Sequence, residues 1–162
     1  MKMFFVILVV VIGLIVLAAI VYGRERIWER MTGPADLGRY DFTQGRRSGS
    51  PNDALACTEG ACTAPGVTIA TPDQPPTEIV ARLAERLAAI EAHVRRVDDR
   101  SNPLYARFVI YTPLMRFPDT LDIEVTEHSD GAPAIRAYSR SKLGRSDLGT
   151  NRKRLEELFG VR

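Results

Sequence analysis

The pattern of apolar and polar positions begins with an unbroken apolar run from Met3 to Tyr22. At a helical rise of 1.5 Å per residue this run spans about 30 Å, the thickness of the hydrocarbon core of a bilayer. A backbone in lipid must satisfy its own hydrogen bonds, so the run predicts a transmembrane helix, with residues 3–22 in contact with lipid and residues 1–23 forming an anchor. The alternative is a cleaved signal peptide, whose apolar core is usually shorter.

A second helical pattern lies between Thr77 and Val97. Apolar residues recur there at intervals of three or four positions: Ile79, Leu83, Leu87, Ile90, Val94 and Val97. This spacing predicts one amphipathic helix, with Thr77 as its N-cap and one apolar stripe packed against a sheet. A coiled-coil partner is the alternative, but the stripe covers only three heptads and lacks strong flanking charge pairs.

Three strand patterns follow this helix. Residues 105–112 are apolar on both faces, which is typical of a central strand. Apolar and polar residues alternate over residues 121–126 and again over 135–140, so each of these strands is expected to bury one face.

The two alternating strands also predict their own register. Their apolar residues share a face only if the connecting loop has an odd number of residues, which fits a three-residue turn over 129–131 with Gly131 in a left-handed conformation. This register places Glu124 opposite Arg136 and Asp122 opposite Tyr138, on the face expected to be exposed.

The last pattern is a short helix that buries Leu155, Leu158 and Phe159. Leu148 lies seven residues before Leu155, so the helix is expected to begin near Asp147 or Leu148 with Ser146 as its cap. The element order helix-strand-strand-strand-helix predicts an α+β fold, in which a small antiparallel sheet of three or four strands packs with two helices behind the N-terminal transmembrane helix.

The segment between the anchor and this domain has a different composition. Residues 24–76 form a juxtamembrane stretch followed by a loop rich in proline and glycine, and residues 77–162 are expected to form the α+β domain. Residues 66–70 are the one place in this loop where a short edge strand is expected.

The loop contains the only two cysteines of the chain, Cys57 and Cys62. An even number of cysteines in a short flexible loop predicts a disulfide, and disulfides persist in oxidising compartments. We therefore expect a single-pass protein of the cytoplasmic (inner) membrane with its soluble domain on the periplasmic side. The alternative is a pair of reduced thiols, and the lysines and arginines that flank the apolar run slightly favour the opposite orientation.

Charge and motifs exclude several classes of function. The chain carries 22 lysines and arginines and 20 aspartates and glutamates, a net charge of +2. This balance argues against a nucleic-acid partner. The sequence contains no phosphate-binding loop, dinucleotide fingerprint or metal-ligand spacing, so it predicts no cofactor, no metal and no catalytic residue.

The candidate site is a dense polar run that begins at Ser139. Residues 139–162 hold seven basic and three acidic side chains, next to the expected N-terminus of the last helix. Outward-pointing amides and arginines at such a position favour an anion, for example a phospholipid head group or an envelope polymer. The candidate ligand-binding residues are Arg140, Ser141, Arg145, Ser146, Asp147, Asn151 and Arg152.

Two other interpretations of this run remain open. In the first, the polar groups serve only to cap the helix and tie the loop to the sheet. Alternatively, the chain is an enzyme of unrecognised class that uses the serine, arginine and aspartate residues of 139–152. A non-enzymatic binding or structural module in the envelope is the preferred interpretation.

The same run carries a resemblance to a known family. The segments Ser139-Arg140-Ser141, Gly144, Ser146-Asp147-Leu148-Gly149, Asn151-Arg152 and Arg154 resemble the C-terminal signature of the domain of unknown function 1499 family. Pro51-Asn52-Asp53-Ala54-Leu55-Ala56-Cys57 and Arg116-Phe117-Pro118-Asp119 resemble the membrane-anchored bacterial form of that family. The resemblance covers roughly residues 51–160 and implies no established activity.

Overall fold

The structure, a computed structural model, describes residues 2–128 and 131–161. Its helices are α1 (Lys2–Tyr22), α2 (Arg24–Thr32), α3 (Pro76–Ile90) and α4 (Thr150–Phe159). Its strands are β1 (Asp53–Thr58), β2 (Val67–Ile69), β3 (Val94–Arg96), β4 (Tyr105–Tyr111), β5 (Pro118–Glu127) and β6 (Pro133–Ser141). Helix α1 is long and apolar enough to cross a membrane, a property that signal sequences share.

The described strands form one sheet in the order β2-β1-β6-β5-β4-β3. All neighbours are antiparallel except β1 and β2, which run parallel. The α+β class is confirmed, and so is the short edge strand expected over 66–70. The expected count of three or four strands is wrong, because the sheet has six strands and is mixed.

The two strands that were not expected lie where the sequence pattern predicts a loop and a helix. Strand β1 falls in the segment expected to be a loop, yet it pairs with β6 over five residues and is almost fully buried. Strand β3 falls inside the expected long helix, which instead begins at Pro76 and ends at Ile90, so Thr77 is not its N-cap. Val94 pairs with Ile110 at the sheet edge, because long-range pairing outweighs the local helical spacing.

The register between β5 and β6 agrees with the prediction. Glu124 pairs with Arg136 and Asp122 with Tyr138. Gly131 has a φ of +82°, and the other two turn residues, 129 and 130, lie outside the described residues. The expectation of an exposed face is wrong, because Asp122 and Tyr138 are both buried.

Each face of the sheet is covered by a different layer. Helices α3 and α4 pack on one face through Leu83, Leu87, Leu155 and Leu158, and this helix face holds the main apolar core. Residues 33–48, which we call the strap, cross the opposite face. On this strap face Tyr40 stacks on Tyr138, with a ring-centroid distance of 4.0 Å.

Helix α4 begins later than the sequence pattern predicts. Its N-cap is Gly149 at a φ of +80°, and the helix proper begins at Thr150. Leu148 does not join the buried face. It has a φ of +55°, in the left-handed region, and its side chain is 95% exposed.

Candidate functional site

The structure divides the predicted anion-binding residues between the two faces of the sheet. Successive side chains of β6 point to opposite faces, so Arg140 lies on the strap face. Its Nη2 donates to the carbonyl of Gly38 at 2.9 Å, and its guanidinium lies 5.6 Å from the ring centre of Tyr40. Ser141 faces the helices, where its Oγ accepts from Asn151 Nδ2 at 2.9 Å. The structure thus brings Ser141 and Asn151 together and separates Arg140 from them.

Beside Asn151 lies a buried arginine that is not among the site residues predicted from the sequence. Arg154 donates to Asp119 at 2.9 Å, to Asn151 Oδ1 at 2.6 Å and to Ser139 Oγ at 3.1 Å. A further bond of 2.6 Å joins it to Glu91, at the C-terminal end of α3. The guanidinium fastens α4 to the sheet and to α3.

A signal for this arginine is present in the sequence. Residues 151, 154, 155 and 158 follow the spacing of one helical face, and two of them are leucines. A polar residue on such an apolar stripe is expected to be buried and paired. Arg154 and Asn151 are indeed buried on the same face of α4 as Leu155 and Leu158.

The amides at the N-terminus of α4 already have an anionic partner. The Asp147 carboxylate accepts from the backbone N–H of Gly149 at 3.0 Å and of Asn151 at 2.8 Å. Arg152 is exposed and pairs with Glu156 at 2.8 Å. The helix end thus binds its own carboxylate. Besides Arg152, whose charge is paired with Glu156, the exposed members of the predicted set are Arg145 and Ser146.

The loop that carries Arg145 lies at one particular end of the sheet. The pairs Tyr111–Pro118, Asp119–Ser141 and Asp53–Arg140 place the C-terminal ends of β4 and β6 beside the N-terminal ends of β1 and β5. Loops 112–117 and 142–149 therefore leave the sheet at the same end.

Helix α2 docks at this end, which we call the anchor end. Trp28 Nε1 donates to the carbonyl of Met115 at 2.7 Å, and its ring lies 4.8 Å from that of Phe117. Arg24 also donates to the carbonyl of Leu114. Helix α2 begins two residues after α1 ends, so loop 112–117 lies next to the end of the long apolar helix.

Exposed apolar side chains collect at the anchor end. Outside α1, five large hydrophobic side chains are exposed among the described residues: Met31, Leu37, Leu114, Met115 and Leu148. All except Leu37 lie on α2 or on the two anchor-end loops. Exposed arginines lie on the same elements: Arg24, Arg26, Arg30 and Arg145. We call these eight residues, without Leu37, the anchor-end surface.

The two cysteines form the expected disulfide. Cys57 is fully buried in β1, and Cys62 lies in the loop that follows this strand. Within residues 2–128 and 131–161, no group of three or more histidine, cysteine, aspartate or glutamate side chains is arranged to hold a metal ion.

Comparison with known families identifies the folded segment. The family model described as "Protein of unknown function (DUF1499)" matches residues 50–160. The chain belongs to the DUF1499 family. No curated protein and no solved structure matches it.

The DUF1499 match covers a definite part of the architecture. It includes all six strands, α3, α4 and both anchor-end loops, and it excludes α1, α2 and the strap. In this chain the DUF1499 segment is therefore covered on one face of its sheet by residues from outside the matched range.

Proposed function

We propose that this chain is a single-span membrane protein whose DUF1499 domain lies against the bilayer and recognises anionic phospholipid head groups without performing chemistry. The observation that carries the proposal is the anchor-end surface. Exposed leucine and methionine side chains lie there among exposed arginines, beside the end of the long apolar helix.

The composition of this surface suits the membrane interface. Exposed apolar side chains gain free energy when they enter the boundary between head groups and acyl chains. Each lysine or arginine near an anionic surface adds about 1 kcal/mol of attraction. Leu148 has a left-handed backbone conformation that costs about 1–2 kcal/mol. This cost favours a role for its exposed side chain in binding rather than in the packing of the domain.

The contacts of α2 support a fixed orientation of the domain. The rings of Trp28 and Phe117, the hydrogen bond from Trp28 to Met115 and the ion pair between Arg116 and Glu25 at 3.8 Å all join α2 to loop 112–117. A domain held by these contacts turns its anchor end, rather than the opposite end, toward lipid.

The disulfide supports a location for the domain. Disulfides are stable outside the reducing cytosol, so we place the domain on the periplasmic side of the inner membrane, with α1 retained as an anchor. The anionic ligand inferred from the polar run is then a lipid head group. Arg145 and Ser146 contribute to its binding, whereas Arg140 lies under the strap.

Depth-dependent quenching tests the orientation. The full chain with the substitution Leu148→Cys is labelled with one fluorophore on the new cysteine. It is then reconstituted in nanodiscs that contain lipids with a quencher in the acyl chain. A matched label at Glu59→Cys lies in an exposed position beyond the far end of β1. We expect quenching at residue 148 and little at residue 59, whereas equal quenching at both positions would contradict the proposal.

Charge reversal tests the preference for anionic lipid. Arg145→Glu should reduce the additional quenching at residue 148 that anionic nanodiscs give over zwitterionic ones. The matched control is Arg82→Glu, on the exposed side of α3, and this variant should retain the difference. If both variants behave like the parent, the surface does not recognise lipid charge.

A further inference from the structure

A cavity of about 440 Å³ opens on the strap face, between the strap and the loop that follows β1. Its volume lies within the roughly 300–1,000 Å³ of small-molecule sites. The side chains that matter for its chemistry are Tyr40, Phe42, Gln44, Arg47, Cys62 and Thr63. None of them belongs to the anchor-end surface, so this site is separate from the proposed lipid contact.

The aromatic part of the cavity is held in place by neighbouring rings. Tyr40 stacks on Tyr138 at 4.0 Å, and Phe42 meets Tyr40 edge to face at 4.9 Å. The guanidinium of Arg136 lies 5.5 Å from the ring centre of Phe42. These contacts fix both rings before any ligand arrives, which lowers the entropic cost of binding.

The polar part of the cavity carries little net charge. Arg47 pairs with Asp53 at 2.5 Å, and Gln44 Nε2 donates to Asp41 at 2.8 Å. The hydroxyl of Tyr40 is buried and has no hydrogen-bond partner within the described structure. An unpaired buried hydroxyl is unfavourable, and a polar ligand that reaches it would supply the missing hydrogen bond.

The disulfide positions one wall of the cavity. Cys57 belongs to β1 in the sheet, and its bond to Cys62 holds the loop 60–63 against the strap. The wall therefore depends on the oxidised state of the two cysteines.

We infer that this cavity binds a neutral sugar ring, either a free monosaccharide or the terminal ring of a glycan. The partly exposed ring of Phe42 suits the C–H face of a sugar, while amide and hydroxyl groups of the lining suit its hydroxyls. An acyl chain does not suit the polar wall. A phosphate does not suit a cavity whose one cationic lining residue, among those described, is already paired with a carboxylate.

Amide chemical shifts test this inference directly. The ¹⁵N-labelled full chain, in micelles of a detergent without a sugar head group, is titrated with glucose, galactose and N-acetylglucosamine to tens of millimolar. We expect at least one sugar to shift the amides of Gly60, Ala61 and Thr63. No shift with any of the three, or the same shifts with inorganic phosphate, would overturn the inference.

Variants and a longer ligand make the test specific. Gln44→Leu should weaken binding at least tenfold, whereas Gln74→Leu, at the only other glutamine position, should not change it. Equal affinity in both variants would also count against the site. A trisaccharide that binds more tightly than its terminal sugar identifies a glycan end as the ligand, and one that binds no more tightly identifies a free sugar.

Discussion

The two faces of the sheet bury polar groups in different ways. On the helix face, the buried Arg154 has hydrogen-bond partners for its Nε, Nη1 and Nη2 atoms. On the strap face lie all the buried side-chain atoms that lack a hydrogen-bond partner in the described structure. They belong to Tyr40, Arg107, Asp122, Arg136 and Arg140.

This difference indicates which face is easier to open. A buried polar atom without a partner costs about 1–3 kcal/mol, so the strap layer gains less from burial than the helix layer does. Regions that open locally are those with fewer apolar contacts and more hydrated polar groups. We expect the amides of the strap to exchange with solvent faster than those of α3 and α4.

The largest expected effect comes from removing the buried contacts of Arg154 on the helix face. Arg154→Met leaves Asp119 as a buried carboxylate without its cation, which typically costs about 3–5 kcal/mol. Thermal unfolding of the full chain in micelles, followed by circular dichroism, measures the loss. Arg152→Met on the same helix removes only an exposed ion pair and should change stability by less than about 1 kcal/mol. Equal losses in the two variants would contradict the assigned role of Arg154.

A smaller effect is expected when the disulfide on the strap face is removed. The bond closes a short loop between Cys57 and Cys62, which corresponds to about 2 kcal/mol of stability in the loop-entropy model. Cys57→Ser with Cys62→Ser should lower the unfolding temperature and speed proteolysis of the strap before that of the helices. If helix and strap cleavage accelerate together, the two layers open as one unit.

A carboxyl group under the strap should give a measurable pH dependence. Burial raises the pKa of Asp53, but hydrogen bonds from Arg47, Tyr138 and the Ser48 amide outweigh it, and the net pKa is lowered. The stability from Asp53 is therefore fully present above its unfolded pKa, near 4, and is lost as the pH falls through the folded value.

The Asp53→Asn variant measures this contribution. It should cost about 1.5–3 kcal/mol at neutral pH, the range for hydrogen bonds to a charged group, and less near pH 2. Thermal unfolding of parent and variant between pH 2 and 7 gives the difference. A cost that is constant over this range would mean that the ionised carboxylate contributes nothing.

The smallest effect is expected at Asp122, a second carboxyl under the strap. Burial raises its pKa, although hydrogen bonds from the Tyr105 hydroxyl and the Tyr40 amide oppose this shift. Both donors bond to Oδ1, while Oδ2 has no hydrogen-bond partner and lies 3.9 Å from Arg140 Nη2. Because the folded pKa is raised, this group reduces stability as the pH rises through the unfolded and then the folded pKa.

Asp122→Asn keeps the acceptor that both donors use, removes the buried charge and loses only the long ion pair with Arg140. Stability at neutral pH should therefore change by less than about 1 kcal/mol, or rise slightly. The variant should also lose less stability than the parent between pH 4 and 7. A large loss at neutral pH would show that the charge itself holds the strap.

The sequence pattern predicted the parts of the fold that rest on local or paired periodicity. Strand β4 follows from a run that is apolar on both faces, the register of β5 with β6 from alternation, and the apolar stripe of α3 from helical spacing. Strand β1 had no such signal, because it is a short apolar segment among prolines and glycines and becomes a strand only by pairing with β6.

The candidate site was predicted only in part, for a related reason. Seven residues close together in sequence were expected to converge, but β6 alternates, so Arg140 and Ser141 lie on opposite faces of the sheet. The partners of the run come from distant segments, including Gly38, Asp119 and Glu91. No local pattern connects those positions to the run.

By itself, the sequence determined the long apolar helix, the α+β class, the family and the pairing of the two cysteines. Each of these depends on residue type and short-range spacing. The tertiary structure alone decided that the strap covers the second face, that Arg154 is buried and that exposed leucines meet arginines at the anchor end. Those features arise where segments far apart in the chain exclude water together, and a one-dimensional pattern does not contain that information.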